Sequence, residues 1–124
     1  MVKSALISLT ALGGDLPIDI EIGDYRIAER FDVALASLAT RRNREKDVVK
    51  LAKAAKLVLP DVSDSSVSSV YGAFWLSSQQ WMIEAPLASH EDIAHHLKTL
   101  FGDAASVTEQ TDAWVRFEIG RAHV

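Results

Sequence analysis

The sequence predicts an α+β domain, and three observations carry that reading. Phe31, Val33 and Leu35 alternate with Asp32, Ala34 and Ala36, the period of two that a strand imposes on its side chains. From Asn43 to Val58 the period changes. Val48, Leu51, Ala52, Ala55 and Val58 recur at steps of three and four, so they share one face of a helix. Further on, two short apolar runs, each with a tryptophan, flank Ser77-Ser78-Gln79-Gln80 and lead into a second helical pattern. In chain order this gives strand, helix, strand, strand, helix, strand, preceded by a hairpin. That is the split βαβ arrangement of ferredoxin-like α+β domains. The architecture hosts many functions and decides none of them.

At 124 residues the chain has room for one domain with a sizeable core. Its 48% apolar and 24% charged residues are ordinary for a soluble globular protein. No apolar run is long enough to span a membrane. The apolar stretch after Lys3 is too short for a signal peptide, so a cytoplasmic protein is expected. Absent cysteine excludes disulfides, thiolate metal sites and a cysteine nucleophile. A net charge of −4 argues against nucleic acid as the main partner.

Residues 1–17 are weakly patterned and contain Gly13-Gly14, which reads as a lead-in. Neither phosphate-loop spacing is present. Ile18, Ile20 and Ile22 alternate with Asp19 and Glu21 up to Gly23-Asp24, and Tyr25-Arg26-Ile27 follows, so a small hairpin is expected. Asp15, Asp19, Glu21 and Asp24 match no calcium-loop spacing and read as solvent-facing positions. The main sheet should begin at Phe31 and run to about Ala39, with the first helix over 43–58 and Pro60 ending it. Lys46, Lys50 and Lys53 lie opposite its apolar stripe and, with Arg41, Arg42 and Arg44, make a basic edge. Such an edge is a solvated helix face, or else a docking edge for an acidic partner or for nucleic acid.

Asp61 to Ser69 reads as a polar connector; its serines have neither a GxSxG elbow nor a nearby histidine. Tyr71 to Leu76 and Trp81 to Ala85 carry the aromatic and branched residues of strands. After Pro86, Ser89 is a suitable N-cap, Asp92 completes an S-x-x-D capping box, and Glu91 adds charge to the first turn. Ile93, Leu97 and Leu100, with Ala94 and Phe101, form the buried face of the second helix, which Gly102 should end. Ala104 to Glu109 and Ala113 to Ile119 read as two further strands around Gln110-Thr111-Asp112. In the second, Val115, Phe117 and Ile119 share a face, opposite Trp114 and Arg116.

Chemistry is sparse. On a continuous helix His95 and His96 would point about 140° and 240° away from His90, whereas a helical zinc pair uses i, i+4. No acid/base pair, nucleophile triad or metal cluster stands out, so no catalytic, cofactor-binding or metal-binding residue is expected. Trp75, Trp81 and Trp114 are candidate anchors of a partner interface wherever they face outward, with core packing as the alternative.

The run Phe74-Trp75-Leu76 to Trp81-Met82-Ile83-Glu84-Ala85-Pro86, followed by His90-Glu91-Asp92-Ile93-Ala94, resembles the gamma subunit of heterotetrameric sarcosine oxidase. The likeness continues through Leu97-Lys98, Gly102 to Asp112, and Trp114-Val115-Arg116-Phe117. The family typically has two tryptophan strands around a short turn, an E-A-P ending, and a later V-T-x-Q-[ST]-D-x-W run. These words cover roughly Tyr71 to Glu118, and the chain before Tyr71 matches only loosely. At the hairpin turn Ser77-Ser78 stands where the family usually has Gly-Pro.

The resemblance implies a fold related to the folate-binding aminomethyltransferase domains, incomplete at its C-terminus. It implies a non-catalytic accessory subunit of an oxidoreductase complex of sarcosine catabolism and one-carbon metabolism. That complex converts sarcosine to glycine, hydrogen peroxide and methylene-tetrahydrofolate. FAD, FMN, NAD and zinc are then implied on the alpha, beta and delta partner subunits, none in this chain, with no membrane or nucleic acid involved. Two alternatives stay open: a fragment of a folate-binding aminomethyltransferase-like protein, and a stand-alone ferredoxin-like ligand-binding module.

Ile119-Gly120-Arg121-Ala122-His123-Val124 is foreign to the family. Written as ATC GGA AGA GCA CAC GTC, it resembles a widely used sequencing adapter. The adapter's next bases are the stop TGA, and its preceding AG completes a codon for Glu118. The sequence is therefore read as residues 18–118 of one α+β domain, a truncated gamma subunit, with 119–124 as adapter read-through. Genomic sequence unlike the adapter after Phe117 would sink that reading. A truncation would leave apolar surface that the missing part covers.

Overall fold

The computed structural model describes residues 12–14 and 16–121. Most of the expected lead-in, Asp15, and residues 122–124 of the tail lie outside the described residues. Contacts divide the described chain into two compact units: residues 32–111, and a second unit formed by the residues before and after them. Together they contain two α-helices and two antiparallel sheets, an α+β protein.

In the larger unit the sheet strands are β3 (Val33–Thr40), β4 (Ser65–Val67), β5 (Gly72–Ser77), β6 (Gln80–Pro86) and β7 (Ala105–Glu109), in the order β4-β5-β6-β3-β7. The helices are α1 (Glu45–Ala54) and α2 (Ile93–Phe101). One row of side chains meets both helices: Ala34, Ala36 and Leu38 on β3, facing Ala85, Ile83 and Trp81 on β6. The alternating set Val33, Leu35 that marks the strand in the sequence points to the other face. Two of the three β3 residues in this row, Ala34 and Ala36, are small, which leaves room for the helices' large side chains. Ile93, Leu97 and Phe101 of α2 and Val48 of α1 are completely or almost completely buried. Burying such side chains stabilises by about 1.5–3 kcal/mol each relative to leaving them exposed.

Several boundaries differ from expectation for local reasons. α1 ends well before Pro60. Lys56 takes φ +58°, its N–H bonds the Lys53 carbonyl at 3.1 Å, and the Leu57 N–H reaches back to Ala52 at 2.9 Å. This is a Schellman stop, with buried Leu57 and Ala52 as its apolar pair. Val58 is therefore not on the helical face but exposed. The serine connector contributes β4, paired Ser65 to Phe74 and Val67 to Gly72. The tryptophan strands close through Ser78-Gln79 rather than four residues; Gln79 takes φ +57°, and Ser77 pairs with Gln80 across a register shift. α2 begins three residues beyond a start capped by Ser89. Asp92 occupies the N-cap without a side-chain bond, and the Ser89 hydroxyl instead lies 3.4 Å from the Pro86 carbonyl. Gly102, at φ +54°, ends α2 as expected and opens a 3-10 turn, Gly102–Ala104.

The smaller unit is a three-stranded sheet, ordered β1 (Asp19–Ile22), β2 (Tyr25–Arg30) and β8 (Arg116–Arg121). Gly23-Asp24 forms the expected hairpin turn, with Ile22 paired to Tyr25. The last strand pairs with β2, so the two strands expected around Thr111 belong to different sheets. Ile119 to Arg121, the described part of the tail, continues β8 opposite Ile27 to Tyr25. Register places Ile20, Ile27 and Ile119 in one row, and Ile22, Tyr25 and Arg121 in the next. That face is largely apolar, with Arg121 at one end and the buried Glu29 opposite Phe117 at the other. The other carries Asp19, Arg26, Arg30 and Glu118, which form the ion pairs Arg26–Asp19 and Arg30–Glu118. The one buried charged residue among those described is Glu29. Its carboxylate accepts the Leu12 N–H at 3.2 Å and the Ile18 N–H at 3.0 Å, tying the chain before β1 to the sheet.

Among the described residues no helix is long and apolar enough to cross a membrane.

Candidate functional site

The three candidate tryptophans fall into three environments. Trp81 is 8% exposed, and its indole Nε1 donates to the Pro60 carbonyl at 2.9 Å. That bond anchors the chain after α1 to β6, so Trp81 is a core residue. Trp75 stands directly opposite it on β5 and packs half-buried against the same core. Trp114, in the smaller unit, is 48% exposed. Trp75 and Trp81 are thus brought together, and only Trp114 offers a large apolar surface to solvent.

The polar residues of the later resemblance words hold strand ends. The Gln110 N–H donates to the Leu35 carbonyl at 2.9 Å, its side-chain amide reaches the Ser37 hydroxyl at 3.2 Å, and the Leu35 N–H donates to the Thr111 hydroxyl at 3.1 Å. They extend the β3–β7 ladder past the last paired residue. Glu84 has a different task. It lies opposite Gly72, where an added Cβ would come within 2.6 Å of the carboxylate and 2.8 Å of its Cγ.

A cluster that the sequence reading missed gathers Tyr71, His90 and His96. The His90 and His96 rings are 5.5 Å apart and perpendicular, and Tyr71 meets His90 edge-on at 5.6 Å. The angular separation expected on a continuous helix does not apply, because His90 precedes α2 and Ile93, not His90, opens the helix. Burial pushes the Tyr71 phenol up. The Ser89 hydroxyl and His90 Nδ1 lie 2.8 Å apart. An edge-to-face set of this kind contributes packing beyond its area, and it fastens the start of α2 to the chain entering β5. No group of three or more acidic or histidine residues among those described could hold a metal ion.

The basic edge is divided. Arg44 donates from Nε to Asp47 at 2.6 Å and pairs with Asp103 at 3.2 Å, and these hydrogen bonds hold its guanidinium above its ordinary pKa. Lys53 is different. With Lys56 it lines a cavity of about 620 Å³ at the C-terminal end of α1, floored by Ala52, Leu57 and Leu59.

Comparison with known proteins gives no matching family model, no matching curated protein and no matching solved structure.

Proposed function

We propose that this chain is an accessory subunit of a heterotetrameric sarcosine oxidase, its gamma subunit, shaping and holding larger partners rather than performing chemistry. The observation that carries the reading is the set of family words between Tyr71 and Glu118. Supporting it, those words fall on the β5–β6 hairpin, the start of α2 and the end of β7, where they serve packing and strand-end bonding. The order β5-β6-β3-β7, antiparallel throughout, suits the finer ferredoxin-like reading and its kinship with folate-binding aminomethyltransferase domains. On this reading the flavins, NAD and zinc belong to the alpha, beta and delta subunits, and the complex is cytoplasmic.

Obligate subunit interfaces are apolar. The smaller sheet's face, with Ile20, Ile22, Tyr25 and Phe117 exposed, has that composition and is the surface we assign to the partners. Tagged chain co-expressed with alpha and beta subunits should retain both on affinity purification. Ile20→Asp with Tyr25→Asp should abolish retention while the larger unit stays folded. Failure of the unaltered chain to retain either partner would refute the proposal, and tetrahydrofolate binding by the isolated chain would favour the aminomethyltransferase alternative.

A further inference from the structure

The cavity at the end of α1 combines three features. Its size, about 620 Å³, lies in the range of small-molecule sites. Its walls include Val49 and Val58, 62% and 54% exposed, apolar side chains left in water beside a buried floor. Its rim carries Lys53 and Lys56, and among the described residues neither ammonium pairs with a carboxylate. Val49 and Lys53 lie one helical turn apart on α1, and Lys56, just past the end of the helix, reaches the same groove.

Lys56 sharpens the point. It occupies the left-handed position after the helix, at φ +58°, where glycine is the usual and less strained choice. A strained residue that also lines a cavity is a pointer to function. The helix end matters as well. A C-terminus presents carbonyls, not N–H groups, and here the stop motif already satisfies two of them. A phosphate would find no backbone donors of the kind that helix N-termini supply. A carboxylate also meets the negative end of the helix, but its single charge is offset by the two ammonium groups, and its alkyl chain would cover the valines.

We propose that this groove binds a small amphiphilic carboxylate, an unbranched alkyl chain bearing one carboxyl group. The site is independent of the subunit reading and stands or falls separately from it.

The test is a titration of the isotope-labelled chain with sodium octanoate, followed by amide chemical shifts, with octanol as the uncharged match. Saturable shifts should be confined to residues 49–59 and 68–69. Octanoate should bind about tenfold more tightly than octanol, the gain of a charge-assisted bond. Each methylene added from hexanoate to decanoate should tighten binding about fourfold. Lys56→Gly should raise the melting temperature, because glycine suits that backbone, yet weaken octanoate binding. Lys53→Gln with Lys56→Gln should erase the preference over octanol. Equal binding of octanol and octanoate, or shifts that never saturate, would overturn the proposal. So would a groove that ignores octanoate but responds to an acidic, leucine-containing peptide, which would make it a docking edge for an acidic protein.

Discussion

The two sheets of this protein use the same alternating code and reach opposite outcomes. In the larger unit the inner row of β3 and β6 disappears beneath two helices, and a continuous buried cluster forms. In the smaller unit Ile20, Ile22, Tyr25 and Phe117 alternate as cleanly, yet all remain exposed, and Ile119 is 68% exposed. A pattern of period two specifies which side chains share a face. It does not specify a covering layer, which must come from another element. The hairpin is therefore legible from Ile18 to Ile27 alone, whereas a covering layer for it is not encoded in that pattern.

Four experiments test this contrast. Phe101→Ala should destabilise the larger unit by about 3–5 kcal/mol in urea unfolding, the cost of a buried aromatic, while Ile22→Ala should change stability by less than about 0.5 kcal/mol. Equal losses would erase the distinction between the sheets. Trp81→Phe should cost about 1–3 kcal/mol by leaving the Pro60 carbonyl without its donor, and Trp114→Phe, at an exposed position, much less. Gly72→Ala should cost about 1 kcal/mol, because the new Cβ must push the Glu84 side chain aside; the loss should shrink in a Glu84→Ala background. The smallest effect belongs to the charged face of the three-stranded sheet. The hydrogen bond from Arg26 holds the Asp19 carboxyl below its ordinary range. A carboxyl whose folded pKa is depressed contributes stability that is present above its unfolded pKa and lost as pH falls through the folded one. The Arg26–Asp19 contribution should thus fade only at pH below the usual aspartate range, and Asp19→Asn should flatten that acid limb in a pH series of thermal melts. Added salt should weaken it too, as for any exposed pair.

Much of the fold was readable because long-range packing agreed with local pattern. Val48, Ala52, Ile93, Leu97 and Phe101 announce the two buried helix faces, and Gly102 announces a stop. The misreadings cluster where a residue departs from the usual chemistry of its position. Lys56 stands where glycine would have marked the end of α1, so the pattern ran on to Val58. Ser89 looks like a cap but its hydroxyl turns toward Pro86 and His90, which moved the helix start and hid the meeting of His90 with His96. The alternation of Phe31, Val33 and Leu35 marked the strand but not which row faces the helices; the row beneath them is that of Ala34, Ala36 and Leu38. Of the candidate sites, the tryptophans were visible in the sequence but their separate environments were not, since burial of Trp81 is set by a carbonyl far away in the chain. The groove was invisible because it depends on the stop at Lys56. Glu29 likewise gave no signal; its role comes from backbone groups at Leu12 and Ile18.

The short outer strand β4 has a consequence for crowding. A sheet border is a template on which another extended chain can grow. Here that border is only Ser65–Val67, two of its three residues are serines, and Pro60 and Asp61 stand a few positions before it. Val67 is 86% exposed, so what keeps neighbouring molecules apart at high concentration is brevity and polarity rather than concealment. Lengthening this border by two apolar residues would turn a terminus of the sheet into a seed for fibrils.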